Sequence, residues 1–114
     1  MEHYPDRLNL VFQALADPTR RAVMGRLSQG PASISELAKP FDMALPSFLK
    51  HIRVLEGGGL IRTRKAGRVR TCAIEKSSLA LAESWLSEQR ALWEARTDRL
   101  EQFVTNAPDK ETPT

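Results

Sequence analysis

The sequence predicts a mainly helical α+β fold, with long terminal helices and one small two-stranded β hairpin. Three stretches carry that reading. Between Met43 and Leu55, apolar residues recur at steps of three and four. Leu60 to Lys65 and Val69 to Glu75 read as two strands around Ala66-Gly67. From Ser77 to about Val104 the chain reads as one long helix.

The elements follow in order. Leu8, Val11, Phe12 and Leu15 repeat at i, i+3, i+4 and i+7, giving a first helix with one apolar face. Asp17 is placed to cap a second helix, with Pro18 at its first position, where the missing N–H is harmless. That helix buries Val23, Met24 and Leu27 and stops at Gly30-Pro31. Ser33 or Ser35 caps a short third helix from Ile34 to about Lys39, with Ser33 and Glu36 spaced as a capping box. Pro40 ends it, because the residue before a proline is pushed out of helical geometry. A tight connection leads into Met43–Leu55, and two short helices joined this way form a helix-turn-helix.

In the second of those helices, at about 100° per residue, Leu45, Phe48, Ile52 and Leu55 form one stripe. Lys50 lies opposite it, with Ser47 and Arg53 to either side, while His51 and Leu49 fall on the boundaries. Gly57-Gly58-Gly59 supplies the left-handed cap that ends the helix. The hairpin beyond is the most basic part of the chain, with Arg62, Arg64, Lys65, Arg68 and Arg70. Strand alternation puts Arg62 with Arg64 on one face and Arg68 with Arg70 on one face, suited to straddling phosphates or entering a minor groove.

The last helix carries Leu79, Ala82, Leu86, Trp93, Leu100 and Phe103 in a loose heptad interrupted by Gln89 and Arg96, with Trp85 and Leu92 widening the apolar face. So much apolar surface on a small chain predicts a homodimer that buries this helix together with the first. The expected interface is Leu8, Val11, Phe12, Leu15, Trp85, Leu86, Leu92, Trp93, Leu100 and Phe103. Residues 1–104 are expected to form one DNA-binding and dimerisation domain, and the polar residues 105–114 a disordered tail.

Charge narrows the function. Residues 50–70 hold seven basic side chains against Glu56, a local net of +6, while residues 1–49 balance and residues 71–114 sum to −3. Such segregation is the footprint of a polyanion-binding surface. It also weighs against the rival reading, a winged helix that binds only other proteins. No nucleophile–base pair, phosphate loop or metal cluster is visible, so an enzyme is not expected. The aromatic residues sit mostly on apolar seams and leave no stacking platform for RNA. No stretch reads as a membrane span or secretory leader, and a lone Cys72 fits a reducing cytoplasm. Cys72 is read as a small core residue, with a redox switch as the alternative.

Helix, helix, helix-turn-helix, basic hairpin and long helix in this order make a winged helix-turn-helix layout. Leu15-Ala16-Asp17-Pro18-Thr19-Arg20-Arg21, Glu36-Leu37-Ala38, Lys50-His51, Val54-Leu55-Glu56 and Gly59-Leu60-Ile61 together resemble the ArsR-type winged-helix repressors. The resemblance covers about residues 8–75 in register, and the last helix more loosely. It implies a cytoplasmic homodimer that binds a palindromic operator in double-stranded DNA. Pro46, Ser47, Lys50, His51 and Arg53 would then touch the groove or its phosphates, and Arg62, Arg64, Lys65, Arg68 and Arg70 would serve the wing.

Three departures stand out. Leu49 replaces the usual serine before the Lys-His pair, trading a hydrogen bond for a possible thymine-methyl contact. Ala44 replaces a frequent serine cap, weakening the helix start by roughly 1 kcal/mol. Many members bind soft metals through cysteines in the third helix or Asp/His sites on the last. Here the third helix has no thiol and the last has neither His nor Cys. No metal or other cofactor is expected.

Overall fold

The computed structural model describes residues 4–106. Its elements are α1 (Tyr4–Leu15), α2 (Pro18–Leu27), β1 (Ala32–Ser33), α3 (Ile34–Ala38), α4 (Leu45–Gly57), β2 (Ile61–Ala66), β3 (Val69–Ile74) and α5 (Lys76–Asn106). The mainly helical winged helix-turn-helix is thus present, with one addition. The wing is a three-stranded antiparallel sheet in the order β1-β3-β2, because Ala32 and Ser33 pair with Cys72 and Thr71. Two residues are too few to show a period of two, so β1 leaves no pattern in the sequence.

Local chemistry sets the helix ends. Asp17 caps α2 by accepting the Arg20 backbone N–H at 3.2 Å, with Pro18 in the first turn. The capping box of α3 is complete: Ser33 Oγ accepts from the Glu36 N–H at 3.1 Å, and Glu36 Oε1 accepts from the Ser33 N–H at 3.0 Å. Helix α4 begins at Ala44 with no side-chain cap. It ends in a Schellman turn, in which the Leu60 N–H reaches the Leu55 carbonyl and the Gly59 N–H reaches that of Glu56. Gly59 is required twice over there: its φ is +73°, and a Cβ would collide with Ser78 Oγ at the start of α5.

Packing divides the chain into a compact body ending at Ala82 and a second unit from Glu83 onward, where one domain over 1–104 is expected from sequence. The body's core joins Val11 and Ala14 of α1, Val23 and Leu27 of α2, Ile34 and Leu37 of α3, and Phe48, Ile52 and Leu55 of α4 to Leu60, Ile61 and Cys72. Phe48 stacks on Phe41 with ring centroids 5.6 Å apart. The second unit is the distal part of α5. There Leu86, Leu92, Trp93, Leu100, Phe103 and Val104 are all more than half exposed, and Trp85 is 40% exposed.

Several expectations need correction. Val11 has no exposed surface, so it belongs to the core and cannot take part in an interface; Leu8 and Leu15 are partly buried against the same core, while Phe12 faces outward. Leu45 is 54% exposed rather than part of the buried stripe, because nothing covers the first turn of α4 on that side. Helix α5 continues through Thr105 and Asn106, and the rest of the expected tail lies outside the described residues.

Candidate nucleic-acid interface

With Phe48, Ile52 and Leu55 at 3% exposure or less, α4 is fixed about its axis. Ser47, Lys50 and Arg53 are therefore exposed on its outward side, as the periodicity predicts, and Pro46 in the first turn is exposed as well. Leu49 is half-buried against the core rather than set on that face. His51 is half-buried and engaged. Its Nδ1 lies 3.0 Å from Nη1 of Arg20 and 3.7 Å from Oδ2 of Asp17.

Arg20 is a hub that sequence reasoning missed. Its Nε donates to the Ala14 carbonyl at 2.7 Å and its Nη2 to the Gln13 carbonyl at 3.0 Å, so it closes the C-terminus of α1 while reaching α4. In sequence it reads as one of two adjacent arginines after a helix break. Its partner stands 31 positions away, so no local spacing could reveal the pair. Desolvation pushes the Asp17 carboxyl up, but the hydrogen bonds from the Arg20 and Thr19 N–H groups and the Arg20 charge help hold it below the usual carboxylate range.

The wing register places its cations on both faces. Arg62 pairs with Ala73, Arg64 with Thr71 and Lys65 with Arg70. Arg62 and Arg64 share one face, as expected. Arg68 does not share a face with Arg70: it sits in the turn beside Gly67, whose φ is +63°. Arg70 instead stands directly opposite Lys65, two like charges on the face that lower down carries Ile61 and Cys72. Such a pair of like charges directly opposite one another is unfavourable.

The base of the wing is anchored. Arg62 makes an ion pair with Glu75, and Thr63 Oγ1 donates to Glu56 Oε2 at 2.9 Å, tying β2 to the end of α4. Among the described residues the basic side chains within 4.0 Å of a carboxylate are His51, beside Asp17, and Arg62, beside Glu75, so Lys50, Arg53, Arg64, Lys65, Arg68 and Arg70 have no acidic partner. Cys72 is fully buried; burial and the nearby Glu56 push its thiol up against the opposing pull of Arg70, which disfavours the reactive thiolate.

A helix-turn-helix whose second helix turns unpaired cations outward, followed by a basic wing, defines a winged-helix DNA-binding protein. Comparison with known proteins agrees. Residues 15–64 match a family model described as a helix-turn-helix domain. The HTH-type transcriptional regulator Rv2034 of Mycobacterium tuberculosis is 40% identical over 76 residues, covering 67% of this chain and 68% of that protein. The crystal structure of the ArsR family transcriptional regulator RHA00566 is 70% identical with a TM-score of 0.77, covering 82% of this chain and 97% of its own. The homodimeric winged helix-turn-helix domain of Mb0332 from Mycobacterium bovis is 25% identical with a TM-score of 0.60, covering 76% and 82%. The chain belongs to the ArsR family of transcriptional regulators. Among its described residues no helix is long and apolar enough to cross a membrane.

Proposed function

We propose that the chain is a homodimeric repressor that occupies a palindromic operator in double-stranded DNA, without a metal or other cofactor. The observation that carries this reading is the set of six cations without acidic partners on α4 and the wing. None is engaged by a carboxylate, and each phosphate such a cation neutralises releases counterions. Pro46, Ser47, Lys50 and Arg53 enter the major groove, and His51 borders it. Arg62, Arg64, Lys65, Arg68 and Arg70 hold the flanking backbone or minor groove.

Dimerisation is supported by the exposed apolar stripe of α5. At 100° per residue, Trp85, Leu86, Leu92, Trp93, Leu100, Phe103 and Val104 fall within about 120° of one another. An apolar stripe of that extent on a soluble chain marks an interface, and the Mb0332 domain is homodimeric. Phe12, with Leu8 and Leu15 beside it, adds apolar surface from α1. Two-fold symmetry then presents two copies of α4 to half-sites about 34 Å apart, and repression follows from occupancy.

The test is fluorescence anisotropy with DNA from upstream of the chain's own gene and with scrambled DNA, at several salt concentrations, alongside sedimentation of the free protein. Selective binding by a dimer, with a steep salt slope and no response to zinc or a chelator, is the expected result. Equal weak binding to both DNAs, or a monomer at all concentrations, overturns the reading.

A further inference from the structure

The Arg20–His51 contact fixes more than the position of a ring. A guanidinium has donors only, so His51 Nδ1, 3.0 Å from Arg20 Nη1, must offer a lone pair. In the neutral imidazole the proton then resides on Nε2, at the far side of the ring. Among the described residues Nε2 has no hydrogen-bond partner, although the side chain is only 22% exposed. The ring also lies about 100° around α4 from Lys50, at the border of the outward face rather than at its centre. The centre of a recognition helix faces base edges; its borders meet the sugar-phosphate backbone.

We propose that Arg20 is a positioning residue for DNA binding: it locks His51 in the Nε2–H form, so that α4 offers a neutral, pre-oriented donor to one operator phosphate. Arg20 itself is held by the carbonyls of Gln13 and Ala14, so the orientation of the donor is referred back to the end of α1. Asp17, whose carboxylate caps α2 and lies 3.7 Å from the same Nδ1, stands too far to accept a hydrogen bond from it. This inference rests on the proposed DNA reading and adds a specific contact to it.

Two substitutions separate the two ring nitrogens. In His51→Asn the side-chain carbonyl takes the place of Nδ1 and keeps the Arg20 bond, but the outward donor is gone. In His51→Gln the amide nitrogen takes the place of Nε2 and keeps that donor. The experiment combines ring 15N spectra of the wild-type and Arg20→Gln proteins with operator affinities of both His51 variants. A methylphosphonate scan of the operator identifies the phosphate.

The expected results are an Nε2–H tautomer in the wild type and a mixture in Arg20→Gln. Affinity falls about fivefold in His51→Asn and by less than about twofold in His51→Gln. The fivefold difference disappears on DNA carrying one particular methylphosphonate. If His51→Asn does not fold, His51→Ala, which also lacks the outward donor, replaces it in the same methylphosphonate comparison. An Nδ1–H tautomer overturns the proposal, as does selective operator binding that His51→Asn leaves unchanged or that no single methylphosphonate weakens. Absence of any selective binding by the wild type instead overturns the proposed function, and this inference with it.

Discussion

In α4 the buried side chains Phe48, Ile52 and Leu55 expose 3% or less, so Lys50 and Arg53 ride on a helix that cannot roll without opening the core. In the hairpin every residue from Arg64 to Arg70 is exposed, and the anchors, Arg62–Glu75 and Thr63–Glu56, lie only at its base. Helix α4 carries two of the unpartnered cations and the hairpin four, on supports anchored to different degrees. A stiff support fixes donors within the tolerance that base-edge hydrogen bonds demand. A compliant strand tip satisfies a backbone that repeats at every step and needs only charge. On the proposed reading, selectivity therefore belongs to α4, and sequence-independent affinity to the wing.

That division breaks first at the stiff support. Phe48→Ala removes a fully buried ring and should cost about 3–5 kcal/mol of stability, read as a lower denaturation midpoint. A loss below about 1 kcal/mol would mean that α4 is not seated as described. Smaller in stability but larger in selectivity, Lys50→Ala and Arg53→Ala should leave the melting temperature and the oligomeric state unchanged. Each should narrow the ratio of specific to scrambled DNA binding by about 1–3 kcal/mol if it meets a base edge. An equal loss on both DNAs would move that residue from base to backbone.

The compliant side is probed by Arg68→Ala at the exposed turn. It should weaken specific and scrambled DNA alike and reduce the slope of log K against log salt by about 0.9, the share of one phosphate. A large loss confined to the specific site would give the wing a reading role and dissolve the contrast.

Legibility in the sequence followed the range of the interactions. The caps at Asp17 and Ser33, the glycine stop after α4 and the outward Lys50 and Arg53 are set by residues within four positions of each other, and the structure reproduces them. What depended on distant contacts was lost. The pairing of Ala32 with Cys72 added a strand, the Lys65–Arg70 register displaced Arg68 into the turn, and Arg20 met His51 across the fold. Val11 shows a different failure. Its stripe is apolar, as the sequence predicts, but periodicity does not say whether an apolar face meets its own core or a second chain, and Val11 lies in the core.

The smallest effect concerns the two helices of the motif themselves, since α3 is fully capped and α4 is not. Ala44 already has the extended conformation of a cap residue, φ −65° and ψ 147°, so Ala44→Ser needs no backbone change and should stabilise the protein by about 0.5–1 kcal/mol. Ser33→Ala should cost a similar amount, and here pH supplies a check. The Ser33 backbone N–H and hydroxyl hold the Glu36 carboxyl below the usual carboxylate range, outweighing desolvation. A group whose folded value is depressed contributes stability that is complete above its unfolded pKa and lost as pH falls through the folded one. The difference between wild type and Ser33→Ala should therefore be full at neutral pH and shrink in acid, within and below the usual carboxylate range. The gain from Ala44→Ser involves no carboxylate and should stay flat across the same titration. If the Ser33→Ala difference also stays flat into acid, the cap on α3 does not act through Glu36.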